Sequence, residues 1–138
     1  MSGEKGGQAT LEIAAAVISD PEGRLLLVRK QGTAFFMQPG GKIDGGEAPL
    51  DALCRELKEE LGLQVAQDLL LPLGVQTAPA ANEPGMTIEA HLYALVIDEP
   101  VEAAAEIAEA VWVSREEASQ LRLAPLTRDY VMLRVGEY

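Results

Sequence analysis

Cysteine, histidine and aromatic side chains are nearly missing from this chain. One cysteine, Cys54, stands among 138 residues, so no intramolecular disulfide can form and a secreted disulfide scaffold is excluded. A reducing cytoplasm is the expected setting. One histidine, His91, leaves soft and borderline metal ligands too few for a zinc site. Basic charge is also scarce: 11 Lys and Arg face 22 Asp and Glu, a formal charge of −11 that argues against an electrostatic grip on a nucleic-acid polymer or an anionic membrane. No apolar run reaches the ~18 residues of a membrane span, and the opening MSGEKGGQAT lacks the apolar core of a signal peptide.

What remains is ordinary material for one compact core. Apolar residues make up 48% of the chain, and its length suits a single domain. The Gly-rich polar start reads as a flexible leader over residues 1–9, followed by one domain over 10–138. The run from Leu11 to Ser19 and the RLLLVRK that follows read as two strands joined at Asp20-Pro21-Glu22-Gly23. From Gln31 to Gly46, Pro39-Gly40-Gly41 and Gly45-Gly46 forbid a helix and mark a loop whose backbone can approach a ligand.

The strongest periodic signal covers 48–61. Leu50, Leu53, Cys54, Leu57 and Leu61 fall on one stripe when each residue advances about 100°. Pro49 suits the first turn and Gly62 the C-terminal cap. Strands are expected over Leu69 to Val75 and Thr87 to Ile97, separated by a loop over 78–85, and again at Val111-Trp112-Val113. Ser114 and Glu117 form a capping box for a helix through about Leu121, and Thr127 is placed to cap a last helix toward Val135. The order is mixed α+β.

On the first helix Glu56, Glu59 and Glu60 stand at i, i+3 and i+4, beside the apolar stripe. Two carboxylates one turn apart repel by about 3 kcal/mol at ~6 Å and an effective dielectric of ~20. A divalent cation turns that repulsion into binding, and oxygen-only ligands select Mg²⁺ or Mn²⁺. Read locally, the cluster is also a solvated helix face with an Arg55–Glu59 ion pair. Its surroundings add to it. The segment GKIDGGEAPLDALCRELKEELGL runs from Gly41 through Glu47 to Arg55-Glu56-Leu57, Glu59-Glu60 and Gly62. It resembles the Nudix box at every defined position, and the weaker pattern around it is similar to small MutT-like Nudix hydrolases.

That resemblance implies an α+β fold, a Nudix-like α/β/α sandwich with a central mixed β-sheet. It implies hydrolysis of a diphosphate linkage in a nucleoside diphosphate derivative such as a nucleoside triphosphate, ADP-ribose or a sugar nucleotide, with Mg²⁺ or Mn²⁺ as cofactor. Carried onto this chain, Glu56, Glu59 and Glu60 become metal ligands with the Gly41 carbonyl, while Arg55 and Glu47 orient the acids. Glu106, six residues before Trp112, corresponds to a loop glutamate near the metals and is the expected water activator or additional ligand; Glu109 is next, Glu102 lies in the same loop, and a glutamate of the box is the alternative base. Lys42 and Arg29 are candidate phosphate contacts, in chemistry that needs charge neutralised on bridging and nonbridging oxygens. His91 is assigned no role, Cys54 is expected to be inert, and Phe35 or Phe36 serves either a base or the core. Pro79 matches a proline of ADP-ribose hydrolysing members, with an equal structural explanation in a turn. The segment Leu123 to Thr127 lacks the asparagine of oxidised-guanine hydrolases, the single Asn being Asn82. The expected partner is a small nucleotide, with neither nucleic-acid polymer nor membrane, and a homodimer is left open. The alternative is a noncatalytic Nudix-like nucleotide sensor.

Overall fold

A computed structural model describes residues 9–134. Residues 1–8 of the expected leader and Val135 lie outside the described residues, and Ala9 already belongs to the first strand. The order is β1 (Ala9–Ser19), β2 (Leu25–Lys30), β3 (Phe36–Met37), β4 (Gly40–Lys42), α1 (Pro49–Leu61), β5 (Leu71–Pro79), β6 (Met86–Val96), β7 (Ile107–Val113) and α2 (Arg115–Ala118). Two irregular helical turns, Thr127–Val131 and Met132–Arg134, complete it.

β1 is the axis of a mixed seven-stranded sheet. It runs parallel to β6 from Ala9↔Met86 to Ser19↔Val96 and antiparallel to β4, with Ala14 opposite Gly41. β2 meets β1 only at Ser19↔Leu25, then diverges to pair with β3 and β7. Strand alternation divides the interior between the two faces of the sheet. Ala14, Ala16, Ile18, Leu26 and Val28 pack on one face with Leu53, Leu57 and Leu61 of α1. Val17, Leu25 and Leu27 pack on the other with Ala118, Val131 and Met132. This is the α/β/α sandwich, and fully buried Ala14 and Ala16 keep the central strand thin beneath α1.

The stripe on α1 is narrower than its sequence suggests. Leu53, Leu57 and Leu61 are buried, whereas Leu50 and Cys54 sit partly exposed at its margin. Burial pushes the Cys54 thiol above its ordinary pKa, assisted by the Asp51 charge, and Val65 O accepts from Sγ. Gly62 closes the helix in the left-handed conformation, its N–H donating to Lys58 O at 3.0 Å.

Other boundaries move. β5 begins two residues later than expected and continues to Pro79, because a 3₁₀ turn at Gln67–Leu69 takes the start of the apolar run. β5 lies at the sheet edge, where a bulge between Pro72 and Gly74 accommodates a residue without an N–H. The loop shortens accordingly to 80–85. β7 starts at Ile107 rather than Val111, since its pairing with β2 runs from Lys30↔Ile107 to Leu25↔Val113. Ser114 and Glu117 form their capping box, but α2 stops at Ala118. Thr127 is not a cap: Pro125 starts the helical turn upstream, leaving Thr127 inside it and buried.

The β1–β2 turn rests on Asp20. Its carboxylate accepts the N–H groups of Glu22 and Arg24 at 3.0 and 2.9 Å and Arg24 Nε at 2.7 Å. Burial alone pushes this carboxyl up, but Arg24 and the backbone donors outweigh it and hold it below the usual aspartate value. A lowered native pKa supplies stability above the ordinary aspartate range and loses it as pH falls through the native value. Asp20→Asn is therefore expected to lower the urea midpoint at neutral pH, with the gap to wild type closing in acid; a pH-independent gap contradicts this. Leu53→Ala, at a position with no exposure, should cost about 2–5 kcal/mol. Leu71→Ala, 62% exposed, should stay within about 0.5 kcal/mol in the same titrations.

Candidate active site

The Gly-rich loop and α1 meet at β4. Gly40 has φ of 149°, and a Cβ there would overlap the Ala14 backbone. At Gly41 a Cβ would run into the Glu56 carboxylate. Two adjacent glycines thus let β4 lie against both β1 and the acids of α1.

Glu60, 2% exposed, accepts the Gly40 N–H through Oε1 at 3.2 Å. Burial, with the Glu56 charge next, pushes its carboxyl up to about 8. Glu56 is raised as well, by burial, against the pull of Arg55. The Glu56 charge, one helical turn away, therefore adds to burial in disfavouring the charged form of Glu60.

Arg55 organises the rim. Its Nε and Nη2 donate to the two oxygens of Glu47 at 3.0 and 2.9 Å, and Nη1 donates to Glu56 Oε2 at 2.9 Å. Lys42 O accepts from Nη2 at 3.2 Å. These contacts raise the Arg55 guanidinium above its ordinary value, and the Arg55 hydrogen bonds, with the Asp44 N–H, lower Glu47. Glu47 thus ties the loop to the helix, and Arg55 fixes one oxygen of Glu56.

Glu56, Glu60 and Gly41 open onto a cleft of about 520 Å³, together with Lys30, Lys42 and Glu106. Glu106 lies 3.6 Å from Lys30 Nζ, and Lys42 Nζ lies 3.7 Å from Glu83, which also lines the cleft. Asp44, Glu56, Glu60, Glu83 and Glu106 give five acids against two lysines. Such a cleft accepts a polyanion only with added positive charge.

Two expected residues, Glu59 and Arg29, are placed differently. Glu59 does not line the cleft; its carboxylate is 56% exposed and lies 3.7 Å from Arg55 Nη1, the local ion pair. Arg29 also misses it, because alternation along β2 sends Leu25, Leu27 and Arg29 away from α1 and brings Leu26, Val28 and Lys30 toward it. Arg29 instead donates to Glu109 at 2.8 Å and to Thr33 O at 2.8 Å, its guanidinium 6.0 Å from the Phe36 ring centre. That bond engages Glu109 directly opposite on β7. Phe36 is a core residue, and Phe35 is half-buried on the side of α2. His91 stands 3.4 Å from Glu12, and with Glu89 these offer three donor atoms within 4.8 Å, off the cleft.

Lys30, Asn82 and Glu83 enter the cleft without having been expected there. The β2 alternation carried the signal for Lys30. Asn82 and Glu83 arrive on the loop between β5 and β6, whose approach to β4 no local pattern encodes.

Gly40→Ala should cost about 1–3 kcal/mol or more, because its Cβ would overlap the Ala14 backbone, which cannot swing aside, while Gly45→Ala, whose Cβ meets nothing within 4 Å, should stay near wild type. Equal melting temperatures for the two variants contradict this placement of β4 against β1.

The description "NUDIX domain" fits residues 10–134. The CTP pyrophosphohydrolase of Escherichia coli K12 is 32% identical over 120 residues, covering 83% of this chain and 84% of that protein. The 8-oxo-dGTP diphosphatase of Proteus vulgaris is 40% identical over 65 residues, 44% of this chain and 58% of its own length. With the Haemophilus influenzae protein of the same name the share is 42%, so the chain spans about half the length of these relatives. The solution structure of the E. coli ORF135 protein superposes with a TM-score of 0.68 at 29% identity, covering 98% of this chain and 94% of that one.

Proposed function

The chain belongs to the Nudix family, and from that premise we propose that it hydrolyses the diphosphate linkage of a small nucleotide, a nucleoside triphosphate or other nucleoside diphosphate derivative, with Mg²⁺ as cofactor and Mn²⁺ able to replace it. The observation that carries this reading is the pair Glu56 and Glu60, set in a cleft with three further acids and two lysines. Donor chemistry fits the ion: the cleft offers carboxylate and carbonyl oxygens, the ligands of a hard divalent cation. Glu56 and Glu60, with the Gly41 carbonyl, would hold it. Glu59, at the exposed edge, would join from outside the cleft wall. When bound, the ion supplies charge neutralisation at the diphosphate and lowers the pKa of a bound water.

The protein's own groups do the rest. Arg55 holds Glu56 by one oxygen and Glu47 holds Arg55, so the acids keep their orientation while substrate enters. Lys42 and Lys30 exchange their loose contacts to Glu83 and Glu106 for phosphate oxygens. Glu106, released from Lys30, accepts the proton of the attacking water. The 2.8 Å bond from Arg29 to Glu109 supports Glu106 over its neighbour for this task, and Lys30 and Lys42 over Arg29 as phosphate contacts. The two relatives named above, which act on CTP and 8-oxo-dGTP by their names, support a nucleoside triphosphate among the candidates.

A screen of nucleoside triphosphates, 8-oxo-dGTP, ADP-ribose and sugar nucleotides with Mg²⁺, reading released phosphate, pyrophosphate and nucleoside monophosphate, tests the proposal. At least one should be cleaved at the diphosphate, with activity abolished by EDTA. Glu60→Gln should lower kcat by about 10²-fold or more while the fold is retained, and Glu106→Gln by about 10²–10⁴-fold with little change in KM. Turnover undiminished in EDTA overturns the metal reading, and full activity of Glu106→Gln returns the base to the acids of α1.

A further inference from the structure

Positive charge is scarce in this chain and unevenly spread. A second opening, of about 670 Å³, lies between Phe35, α2 and the C-terminal turns, and it shares no residue with the acidic cleft. Arg115, Arg122 and Arg128 line it, and among the described residues no Asp or Glu does. The two openings therefore differ in the sign of their charge, since five acids line the cleft.

Backbone pairing builds the wall. The Phe36 N–H donates to Arg122 O at 2.8 Å, and the Ala124 N–H donates to Phe36 O at 2.9 Å. Phe36 belongs to the core, so this pairing fixes its neighbour Phe35 and Arg122 beside each other at the opening. The Arg122 guanidinium is exposed and makes no hydrogen bond or ion pair among the described residues. Arg115 donates through Nη2 to Met132 O at 3.2 Å, which holds it against the C-terminal turn. Arg128 donates from Nε and Nη2 to the two oxygens of Asp129 at 2.7 and 2.8 Å, leaving Nη1. Three like charges thus surround one opening, and the Asp129 carboxylate answers one of them.

The remaining surface is apolar: Leu121, Met132 and Leu133, the last 68% exposed, stand with the half-buried Phe35 ring. The volume is that of a small-molecule site. Guanidinium forks match phosphate oxygens, and an aromatic face accepts a stacked base. Inorganic phosphate would leave the ring and the aliphatic floor unused, and a neutral nucleoside would leave the arginines unused. A nucleoside monophosphate engages both.

We propose that this opening is a second nucleotide site, separate from the cleft and independent of metal, which binds a nucleoside monophosphate with its phosphate on the three arginines and its base against Phe35. The inference goes beyond the hydrolytic reading and does not depend on it. The cleft takes a polyanion only with added cations, whereas this site supplies its own positive charge.

Equilibrium dialysis of the full chain in EDTA, with adenosine 5′-monophosphate as the probe, tests the assignment. Wild-type protein should bind one equivalent saturably, about 10-fold or more tighter than it binds adenosine or inorganic phosphate. Arg122→Gln and Phe35→Leu should each weaken binding about 10-fold or more, and the exposure of Arg122 lets its variant fold. The Glu56→Gln, Glu60→Gln double variant should bind the probe as wild type does. Absence of saturable binding by wild type overturns the site, as does undiminished binding by Arg122→Gln. Phosphate bound as tightly as the nucleotide overturns the base contact at Phe35, and loss of binding in the double variant moves the probe to the cleft. A chain that hydrolyses no nucleotide yet shows this binding would defeat the proposed function and leave the second site standing.

Discussion

A carboxylate that is 2% exposed needs partners to keep its charge, and Glu60 has one backbone N–H on one side and another carboxylate one helical turn away. The geometry of the whole cleft follows from how that side chain is trapped. α1 cannot roll it outward, because Leu53, Leu57 and Leu61 fix the helix on the sheet. β4 cannot withdraw, because it pairs with β1 from Lys42↔Ile13 to Gly40↔Ala15. The burial of one acid beside the charge of another is confined to the wall of this cleft.

The scaffold works by parity. Consecutive residues of β1 and β2 alternate between the two faces of the sheet, so one strand pair anchors α1 on one face and the C-terminal turns on the other. The same alternation continues past the cores into the chemistry. It delivers Lys30 to the acidic cleft, turns Arg29 to its bond with Glu109, and so leaves Glu106 as the loop acid facing the lysine.

Much of this was legible in the residues themselves. A stripe of leucines bounded by Pro49 and Gly62 reads as a helix, and the acid at Glu60 beside that stripe is carried inward with Glu56. The Gly40-Gly41 pair announced a close backbone approach, and Ser114 with Glu117 announced a cap. What escaped depended on long-range pairing. The start of β7 is set by β2, some 80 positions earlier, and not by its own alanine-rich sequence. Glu59 is equivalent to Glu56 and Glu60 in spacing alone; its distance from the cleft reflects which side of the helix β4 covers. Thr127 read as a cap by residue type, yet Pro125 had already begun the turn, and its hydroxyl serves a glutamine 89 positions away.

Cation binding at Glu56 and Glu60 is the centre of this picture, and it is measurable without any substrate. Titrating the protein into Mn²⁺ and following the electron paramagnetic resonance signal of the free ion gives its bound fraction directly. Wild-type protein should quench the free-ion signal with saturable binding that Mg²⁺ competes away, and the Glu56→Gln, Glu60→Gln double variant should quench it far less. Equal quenching by the two proteins would contradict the placement of the metal at this pair.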